Sequence, residues 1–525
     1  MRALHHALLL IVLAIVLGGA GGCSGLPRHQ PGPVEQALQD VADTPLGRLA
    51  AAATPAGQGG DARSGFRLLF AGESAFNARI ALAGRATRSL DVQYYVLAGD
   101  RTGRGFLREL RDAAQRGVRV RLLVDDLYAA GDEDLLAGLA AHANVSVRLF
   151  NPLPVRLPSV GVRLLLSLPQ LQRINHRMHN KLLIADNSLA VSGGRNVADE
   201  YFMNSREANF VDLDVLSAGP VVRELSAVFD RYWNSDRVYT LQQLLARPLV
   251  AADREYFDEA VRDATVRLGE RQHDQFGQPS LLRQFEQGQL VLQGAPARVL
   301  ADDPDKAADE APGRPRLPTV SDQTLALMDS ARDQVLVMSP YFIPGERGMQ
   351  LMRRLAAELP GGVTLLTNSA GATDEPLAYA AYARYRPALL AAGVRIHELS
   401  PTLARDAGRI DDFRRSTGRL HSKTLAVDRR WLFVGSMNLD PRSARANTEA
   451  GLVIDSPALA QQVVRVFDEA IALGSYRLRP ADRGIEWIET DRQGRQTVHA
   501  HEPYDSVWQR LKSWLLGLFV PEQWL

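Results

Sequence analysis

Two segments of the sequence carry the same reactive side chains at the same spacing. In the first, His179 and Lys181 stand two residues apart, and Asp186 follows five residues after the lysine. The second segment repeats these residue types at the same intervals: His421, Lys423 and Asp428. In each copy, six residues then lead to a small pair (Gly-Gly or Gly-Ser), and an Asn stands two places beyond it, Asn196 and Asn438. One His-x-Lys means little in a long chain, but two extended copies predict an internal duplication.

Two imidazoles and two ammonium groups suit displacement at a phosphodiester. One neutral His attacks phosphorus and forms a phospho-histidine. The other His, protonated, donates to the leaving alcohol and then takes a proton from the incoming one, and an ordinary pKa of ~6.5 permits both states near neutral pH. The lysines, with Asn196 and Asn438, neutralise and orient the nonbridging oxygens. This scheme uses no metal and no cofactor.

Lysine is rare in this chain, which makes its positions informative. Of the 61 cationic residues, the lysines are Lys181, Lys306, Lys423 and Lys512, so half of them lie in the motif copies. Burying an ammonium without an anionic partner is costly. A phosphate-binding role therefore fits Lys181 and Lys423 better than a core role.

Four acidic residues accompany the motifs. Asp212 and Glu449 occupy matching places before an apolar strand, and we expect them to orient the imidazoles, although ordinary strand-edge acids remain an alternative. Asp186 and Asp428 fall at the turns of two predicted hairpins. They are catalytic candidates, and a turn role in which the carboxylate bonds nearby backbone stays equally open.

The elements that must position these groups alternate between short strands and helices. The predicted elements of the first half are the strand Ser89–Val96, the helix Gly103–Gln115 and the strand Val118–Val124. Those of the second half are the strand Gln334–Ser339, the helix Gly348–Glu358 and the strand Val363–Thr367, followed by a helix at Pro376–Ala392 and a strand at Val394–Glu398. This alternation predicts an α/β fold with parallel sheets, present twice in the same phase.

Length and composition set the organisation. A chain of 525 residues suggests roughly three domains or two large ones. The expected segments are a signal- or lipoprotein-like segment (1–23), a Pro/Ala/Gly-rich tether (24–64), a first lobe (65–298), a linker (299–318), a second lobe (319–482) and a C-terminal extension (483–525). With 61 basic and 60 acidic residues, the net charge of +1 argues against nucleic-acid binding through bulk electrostatics.

Both ends of the chain suggest membrane contact. The unbroken apolar run Ala7–Leu17, followed by small residues up to Cys23, is typical of an export signal. Cys23 is the only cysteine, which excludes an internal disulfide and a cysteine-based zinc site. It stands where a lipoprotein cysteine would carry lipid, and an uncleaved signal anchor is the alternative. The Trp-rich stretch Val507–Leu525 predicts an amphipathic helix on a membrane or on the second lobe, and Val162–Leu168 a lipid-side loop.

At the duplicated motifs the chain resembles the phospholipase D superfamily, over approximately Phe66–Pro480. The resemblance implies two similar α/β/α sandwich lobes related by a pseudo-twofold axis, with one active site at their junction. It also implies that His179 is the nucleophile and His421 the acid and base, and it favours a structural role for the motif Asp. Within the superfamily the chain is most similar to bacterial cardiolipin synthases of the C type, on Val92–Val96, Arg116–Asp126 and Pro340–Pro344.

The resemblance implies a phosphatidyl transferase that makes cardiolipin from phosphatidylglycerol and a second phospholipid. The motifs do not report whether a lipid hydroxyl or water completes the reaction, so a hydrolytic phospholipase D is an alternative, and a phosphodiester nuclease of the same superfamily is another. We expect phospholipids and a membrane surface as partners, no nucleic acid, and a location in the bacterial cell envelope facing outside the cytoplasm.

Overall fold

The computed structural model describes most of the chain between residues 25 and 504. The described residues are 25–54 without 31, 63–264 without 158, 269, 271–306, 317–402, and 416–504 without 483. The predicted export segment and the Trp-rich stretch lie outside them. Within the described residues, no helix is both long and apolar enough to cross a membrane.

Helices and strands alternate along the described chain. The α-helices are α1 (Pro45–Ala53), α2 (Gly72–Arg85), α3 (Arg101–Gln115), α4 (Glu133–Ala140), α5 (Val160–Leu166), α6 (Leu171–Ile174), α7 (Pro220–Trp233), α8 (Leu241–Leu245), α9 (Ala251–Val261), α10 (Leu281–Gln287), α11 (Val320–Asp329), α12 (Gly345–Glu358), α13 (Pro376–Ala391), α14 (Pro441–Arg445) and α15 (Pro457–Gly474). Short 3-10 helices span Asp126–Tyr128, Leu168–Gln170 and Asp199–Phe202.

The strands are β1 (Ser64–Leu69), β2 (Ser89–Tyr94), β3 (Arg119–Asp125), β4 (Val145–Phe150), β5 (Leu182–Ala185), β6 (Leu189–Gly193), β7 (Ala208–Val211), β8 (Asp214–Ala218), β9 (Val238–Thr240), β10 (Gln293–Ala295), β11 (Ala297–Ala301), β12 (Gln334–Met338), β13 (Gly362–Asn368), β14 (Arg395–Leu399), β15 (Thr417–Leu420), β16 (Thr424–Val427), β17 (Trp431–Gly435), β18 (Ala450–Asp455), β19 (Ser475–Ala481), β20 (Gly484–Thr490) and β21 (Gln496–His499).

Two large mixed sheets share one internal plan. The first runs β10-β1-β8-β6-β5-β2-β3-β4-β9, and the second runs β11-β18-β17-β16-β12-β13-β14-β19-β20-β21. In each, three parallel strands (β2-β3-β4 and β12-β13-β14) adjoin an antiparallel hairpin (β5-β6 and β16-β17). The predicted α/β fold with two similar lobes is therefore confirmed.

The lobes are joined by a continuous apolar core. The first sheet packs one face on α2, α3 and α4, and the second packs one face on α11, α12 and α13. Between the sheets lie α7 and α15, whose Phe229 and Phe467 belong to one cluster that also contains Leu182 and Ala426 from the two hairpins. Because this shared core fixes the lobes against each other, side chains from both can meet at their junction with defined geometry.

Segment boundaries differ from the expectation in three places. In the predicted tether, α1 packs on the first lobe with Leu46 and Ala50 buried, and Thr44 caps it by accepting from the amide of Gly47. Part of the predicted linker is β11, an edge strand of the second sheet. The start of the predicted extension forms β20 and β21, which continue that sheet. The strand pairing provides the amide partners that these segments would otherwise lack.

Candidate active site

Each motif lies on the segment that enters a hairpin. His179 and Lys181 precede β5, and His421 and Lys423 precede β16. All four side chains are buried. Lys181 donates from Nζ to the carbonyl of His179 at 2.6 Å, and Lys423 donates in the same way to the carbonyl of His421. Each lysine is thus folded back onto the backbone of its own histidine.

The backbone around each histidine is anchored on the other lobe. The His179 amide donates to the Thr448 carbonyl at 2.9 Å, and the Thr448 amide donates to the Arg177 carbonyl at the same distance. The His421 amide donates to the Val211 carbonyl at 2.8 Å. Just before that residue, β15 pairs in parallel with β7 of the first lobe. The two motifs therefore sit on matching ladders that cross the lobe junction.

The carboxylates reach the imidazoles across the same junction. His179 Nδ1 lies 2.9 Å from Glu449 Oε2, and His421 Nδ1 lies 2.7 Å from Asp212 Oδ2. Each lobe therefore supplies one imidazole and the carboxylate that holds the other lobe's imidazole. The sequence pointed to Asp212 and Glu449 but carried no sign that the pairs cross.

The small residues of the motif make room for these carboxylates. A Cβ on Gly194 would lie 2.1 Å from Asp212 Oδ1, so a side chain at this position would displace the acid. In the second copy the matching residue is Ser436, whose hydroxyl donates to Glu449 Oε2. Ser443 donates to the other oxygen of Glu449 at 2.8 Å. The second residue of each small pair is thus explained by its contact with the acid beside the imidazole.

Burial and the nearby cations keep the imidazoles neutral. Burial lowers the pKa of His179 to about 4 and outweighs the opposing charge of Glu449. Burial and the ammonium of Lys423 also lower the pKa of His421. Burial would raise the pKa of Asp212, but its hydrogen bond with His421 and the charge of Lys423 lower it to about 2. With each Nδ1 held by a carboxylate, a neutral imidazole carries its proton there and leaves Nε2 as a free base.

The same burial acts on the lysines. It lowers the pKa of Lys181 well below the ordinary value and that of Lys423 to about 8. The lysine charges interact with Glu449 and Asp212, and Lys423 also acts on His179 in the opposite lobe. Desolvated cations of this kind gain most from an arriving anion. The site as a whole is suited to a bound phosphate.

The motif asparagines differ in their surroundings. Asn196 accepts from the Val96 amide at 3.1 Å and donates to the Tyr201 hydroxyl at 2.8 Å, so its amide already has protein partners. Asn438 has a buried Oδ1 that accepts no hydrogen bond from the described residues. It lines a cavity of about 590 Å³ together with Phe342, Met352 and Asp440. Of the two, Asn438 is therefore the better placed to receive a ligand donor.

Asp186 and Asp428 lie at the far ends of β5 and β16 from the histidines. Asp186 accepts from the amides of Thr87, Arg88 and Ser89 at 2.7 to 3.2 Å. Asp428 repeats this arrangement with the amides of residues 332–334. Both residues have positive φ in their turns, +47° and +53°. This geometry corresponds to the turn role rather than to contact with substrate.

Aromatic rings that the motif analysis missed line the site. Tyr95 meets the His179 ring edge-on at 5.0 Å between centroids, and Tyr201 meets His421 in the same manner at 5.1 Å. Tyr95 follows β2 directly, so its place after the first of the three parallel strands was the available signal. These rings restrict the imidazoles and help to exclude water.

The chain is similar to known proteins in both sequence and fold. A family model described as "Cardiolipin synthase, PLD-like domain" matches residues 80–233 and 324–471, one match in each lobe. Cardiolipin synthase C of Escherichia coli (strain K12) is 36% identical over 490 residues, covering 91% of this chain and 99% of that protein. A cardiolipin synthase of Staphylococcus aureus (strain Mu50) is 25% identical over 421 residues, covering 80% and 69%. The solved phosphatidylserine synthase of Haemophilus influenzae Rd KW20 shares the fold, with a TM-score of 0.54 at 14% identity over 88% of this chain and 95% of that one.

Proposed function

The chain belongs to the cardiolipin synthase family with phospholipase D-like domains, and from this premise we propose that it makes cardiolipin through a phospho-histidine intermediate. It is a phospholipase D-type phosphatidyltransferase. In the proposed reaction a phosphatidyl group passes from one phospholipid to the hydroxyl of phosphatidylglycerol. The observation that carries the proposal is the crossed pairing of His179 with Glu449 and of His421 with Asp212.

In the first step, His179 Nε2 attacks phosphorus and the bond from phosphorus to the head-group oxygen breaks. His421, protonated, gives its proton to that oxygen, so the head-group alcohol leaves neutral. Burial and Lys423 lower the pKa of free His421, and the negative charge of a bound phosphodiester favours its protonation. Glu449 stabilises the positive imidazole of the intermediate, as a buried acid does for a catalytic histidine.

In the second step, the hydroxyl of phosphatidylglycerol attacks phosphorus. His421, now neutral, takes the hydroxyl proton, the N–P bond of His179 breaks, and both imidazoles return to their starting states. The ammonium groups of Lys181 and Lys423 and the Nδ2 of Asn438 donate to the nonbridging oxygens, where negative charge grows in each transition state. Asn196 is already hydrogen-bonded to Tyr201, so its role is to fix the position of that ring beside His421.

Purified full-length protein given vesicles of phosphatidylglycerol and phosphatidylethanolamine tests the proposal, with the products identified by mass spectrometry. Cardiolipin formation that disappears in His179→Ala supports it. If phosphatidic acid is the sole product, the enzyme is a hydrolase and not a synthase. If it cleaves DNA and turns over no lipid, it is a nuclease.

We also propose that the enzyme works at a membrane of the bacterial envelope, outside the cytoplasm, and is tethered by lipid on Cys23. The support is the apolar run Ala7–Leu17 and the small residues before the sole cysteine. Cells grown with labelled palmitate test the tether, because the label should be present on the parent and absent from Cys23→Ala. Label on both proteins would contradict it.

A further inference from the structure

Helix α5 is built with its polarity reversed. Its inward-facing residues are Arg163, 1% exposed, and Ser167 at its C-terminal end, four positions later. The large apolar residues of α5 and its flanks project outward: Leu157, Val162, Leu164, Leu165, Leu166 and Leu168. Leu165 is 64% exposed. A helix on a water-facing surface has the opposite arrangement, with its apolar stripe against the core.

Polar contacts hold this helix on the lobe. The Arg163 guanidinium pairs with Glu133 and donates to the Leu157 carbonyl. Arg156 donates to the same glutamate at 3.0 Å and to Asp126 at 2.6 Å. These bonds account for the docking of α5 without using its leucines. The outward apolar face is therefore left without a partner among the described residues.

The exposed face adjoins the active site. Under the helix, Val160 packs on a small cluster of Leu127, Leu153 and Ile174 that also receives Tyr95. Tyr95 contacts the His179 ring, and the half-exposed Tyr128 meets Tyr95 at 5.2 Å. Apolar contacts thus run from the inner side of α5, at Val160, to the ring beside His179. The outward leucines are on the part of the lobe that adjoins the site, so a lipid surface on α5 would lie near His179.

The composition of the face distinguishes its occupant. Protein-binding surfaces depend on Trp, Tyr and Arg anchors, and Leu and Val contribute few of them. The exposed large side chains of α5 and its flanks are all aliphatic. Such a surface suits the acyl region of a bilayer, where a leucine is stabilised by burial without a complementary pocket. We propose that α5 and its described flanks, residues 157 and 159–168, insert into the phospholipid surface and set His179 at the level of the head groups. This proposal rests on the proposed function for the identity of the lipid substrate.

Vesicle flotation of full-length protein tests the insertion. All proteins carry Cys23→Ser, so that lipidation cannot contribute, and the vesicles contain phosphatidylglycerol and phosphatidylethanolamine. Each of Leu165→Asp and Leu168→Asp should weaken binding about tenfold, because burial of one leucine stabilises by roughly that factor. Val291→Asp is the matched control, since Val291 is 56% exposed on another segment, and its binding should equal that of the parent. Unchanged flotation of the Leu165 and Leu168 variants overturns the proposal.

A second measurement reports on the position of the helix itself. In the Cys23→Ser background, Leu165→Cys labelled with an environment-sensitive dye should be quenched by lipids that carry a spin label on the acyl chain. Absence of quenching overturns insertion, and a dimer that Leu165→Asp dissociates would instead assign the face to a second copy of this chain. Turnover of dispersed short-chain phosphatidylglycerol should be equal in parent and variants. If the parent does not turn over this lipid, the proposed function is contradicted. The flotation result would still test the membrane insertion of α5.

Discussion

Glu449→Gln isolates the charge that crosses the lobe junction. Glu449 is fully buried, and although burial raises its pKa, the hydrogen bond with His179 and the ammonium of Lys181 bring it below the ordinary value. It is therefore an anion at neutral pH, 2.9 Å from His179 Nδ1. Glutamine keeps an acceptor oxygen of the same reach but removes the charge.

The magnitude follows from the positive imidazole of the intermediate. Two unit charges about 4 Å apart interact by about 4 kcal/mol at an effective dielectric constant near 20. At about 1.4 kcal/mol per factor of ten, we expect a loss of about a thousandfold in cardiolipin formation. Because Glu449 serves His179, the loss falls on formation of the phospho-enzyme, and rapid-quench measurements should show no burst.

Asp212→Asn is compared with Glu449→Gln, because a general structural defect would slow the same steps in both variants. Asp212 holds His421, which is the acid of the first step and the base of the second, so this variant should slow both steps and keep a detectable phospho-enzyme. Glu398→Gln is the matched control, because Glu398 is an equally buried acid of the second lobe that bonds Tyr382 and Trp487 away from both histidines. It should leave the rate per folded molecule near that of the parent. If Glu449→Gln stays within about tenfold of the parent and keeps its burst, the crossed-pair account is refuted.

Three further outcomes follow from the site. Asp186→Ala should lower the free energy of unfolding by about 3 kcal/mol, because it leaves the buried Ser89 amide and the partly buried amides of Thr87 and Arg88 without an acceptor, while the rate per folded molecule stays near the parent's. Asp428→Ala should cost less in denaturant titrations, because the amides of Arg332 and Asp333 that it serves are exposed to water. The pKa of His179 is about 4 in the folded protein and about 6.5 in an ordinary peptide, so the unfolded chain binds a proton more readily. The free energy of unfolding should therefore fall by about 3 kcal/mol as the pH drops from 6.5 to 4. In His179→Asn the melting temperature should fall less steeply over that range. The pKa of Lys423 near 8 predicts that kcat/KM declines above that pH. Because burial also lowers the pKa of Lys181, Lys423→Arg should remove only the part of the decline that Lys423 causes.

Local sequence signals were sufficient for much of this architecture. Strand–helix alternation and the two Asp turns depend on neighbouring residues, and the predicted hairpins end at Asp186 and Asp428 as expected. The pairing of His179 with Glu449 depends instead on how the lobes dock, which no short segment encodes. A duplicated chain permits pairing within a lobe or across the junction, and only the docked core selects between them.

Two segments that were predicted as a tether and a loop contain helices in the structure. The stretch 24–64 is rich in Pro, Ala and Gly, yet Leu46, Ala50 and Ala53 have helical spacing and form the buried face of α1. The apolar run before His179 was predicted as a lipid-side loop, and it forms the short helix α5 with its arginine inward. In both cases tertiary contacts stabilise an element that its own propensity leaves marginal. The roles of Cys23 and of the Trp-rich stretch remain predictions.

Trapping the covalent intermediate tests the central claim most directly. Parent enzyme and His421→Ala would be mixed with labelled phosphatidylglycerol, quenched in alkali, digested and mapped by mass spectrometry. We predict a phosphoramidate adduct on residue 179 that is transient in the parent and persists in His421→Ala, with none in His179→Ala. An adduct on residue 421, or rapid turnover by the parent with no adduct on either histidine, would contradict the account.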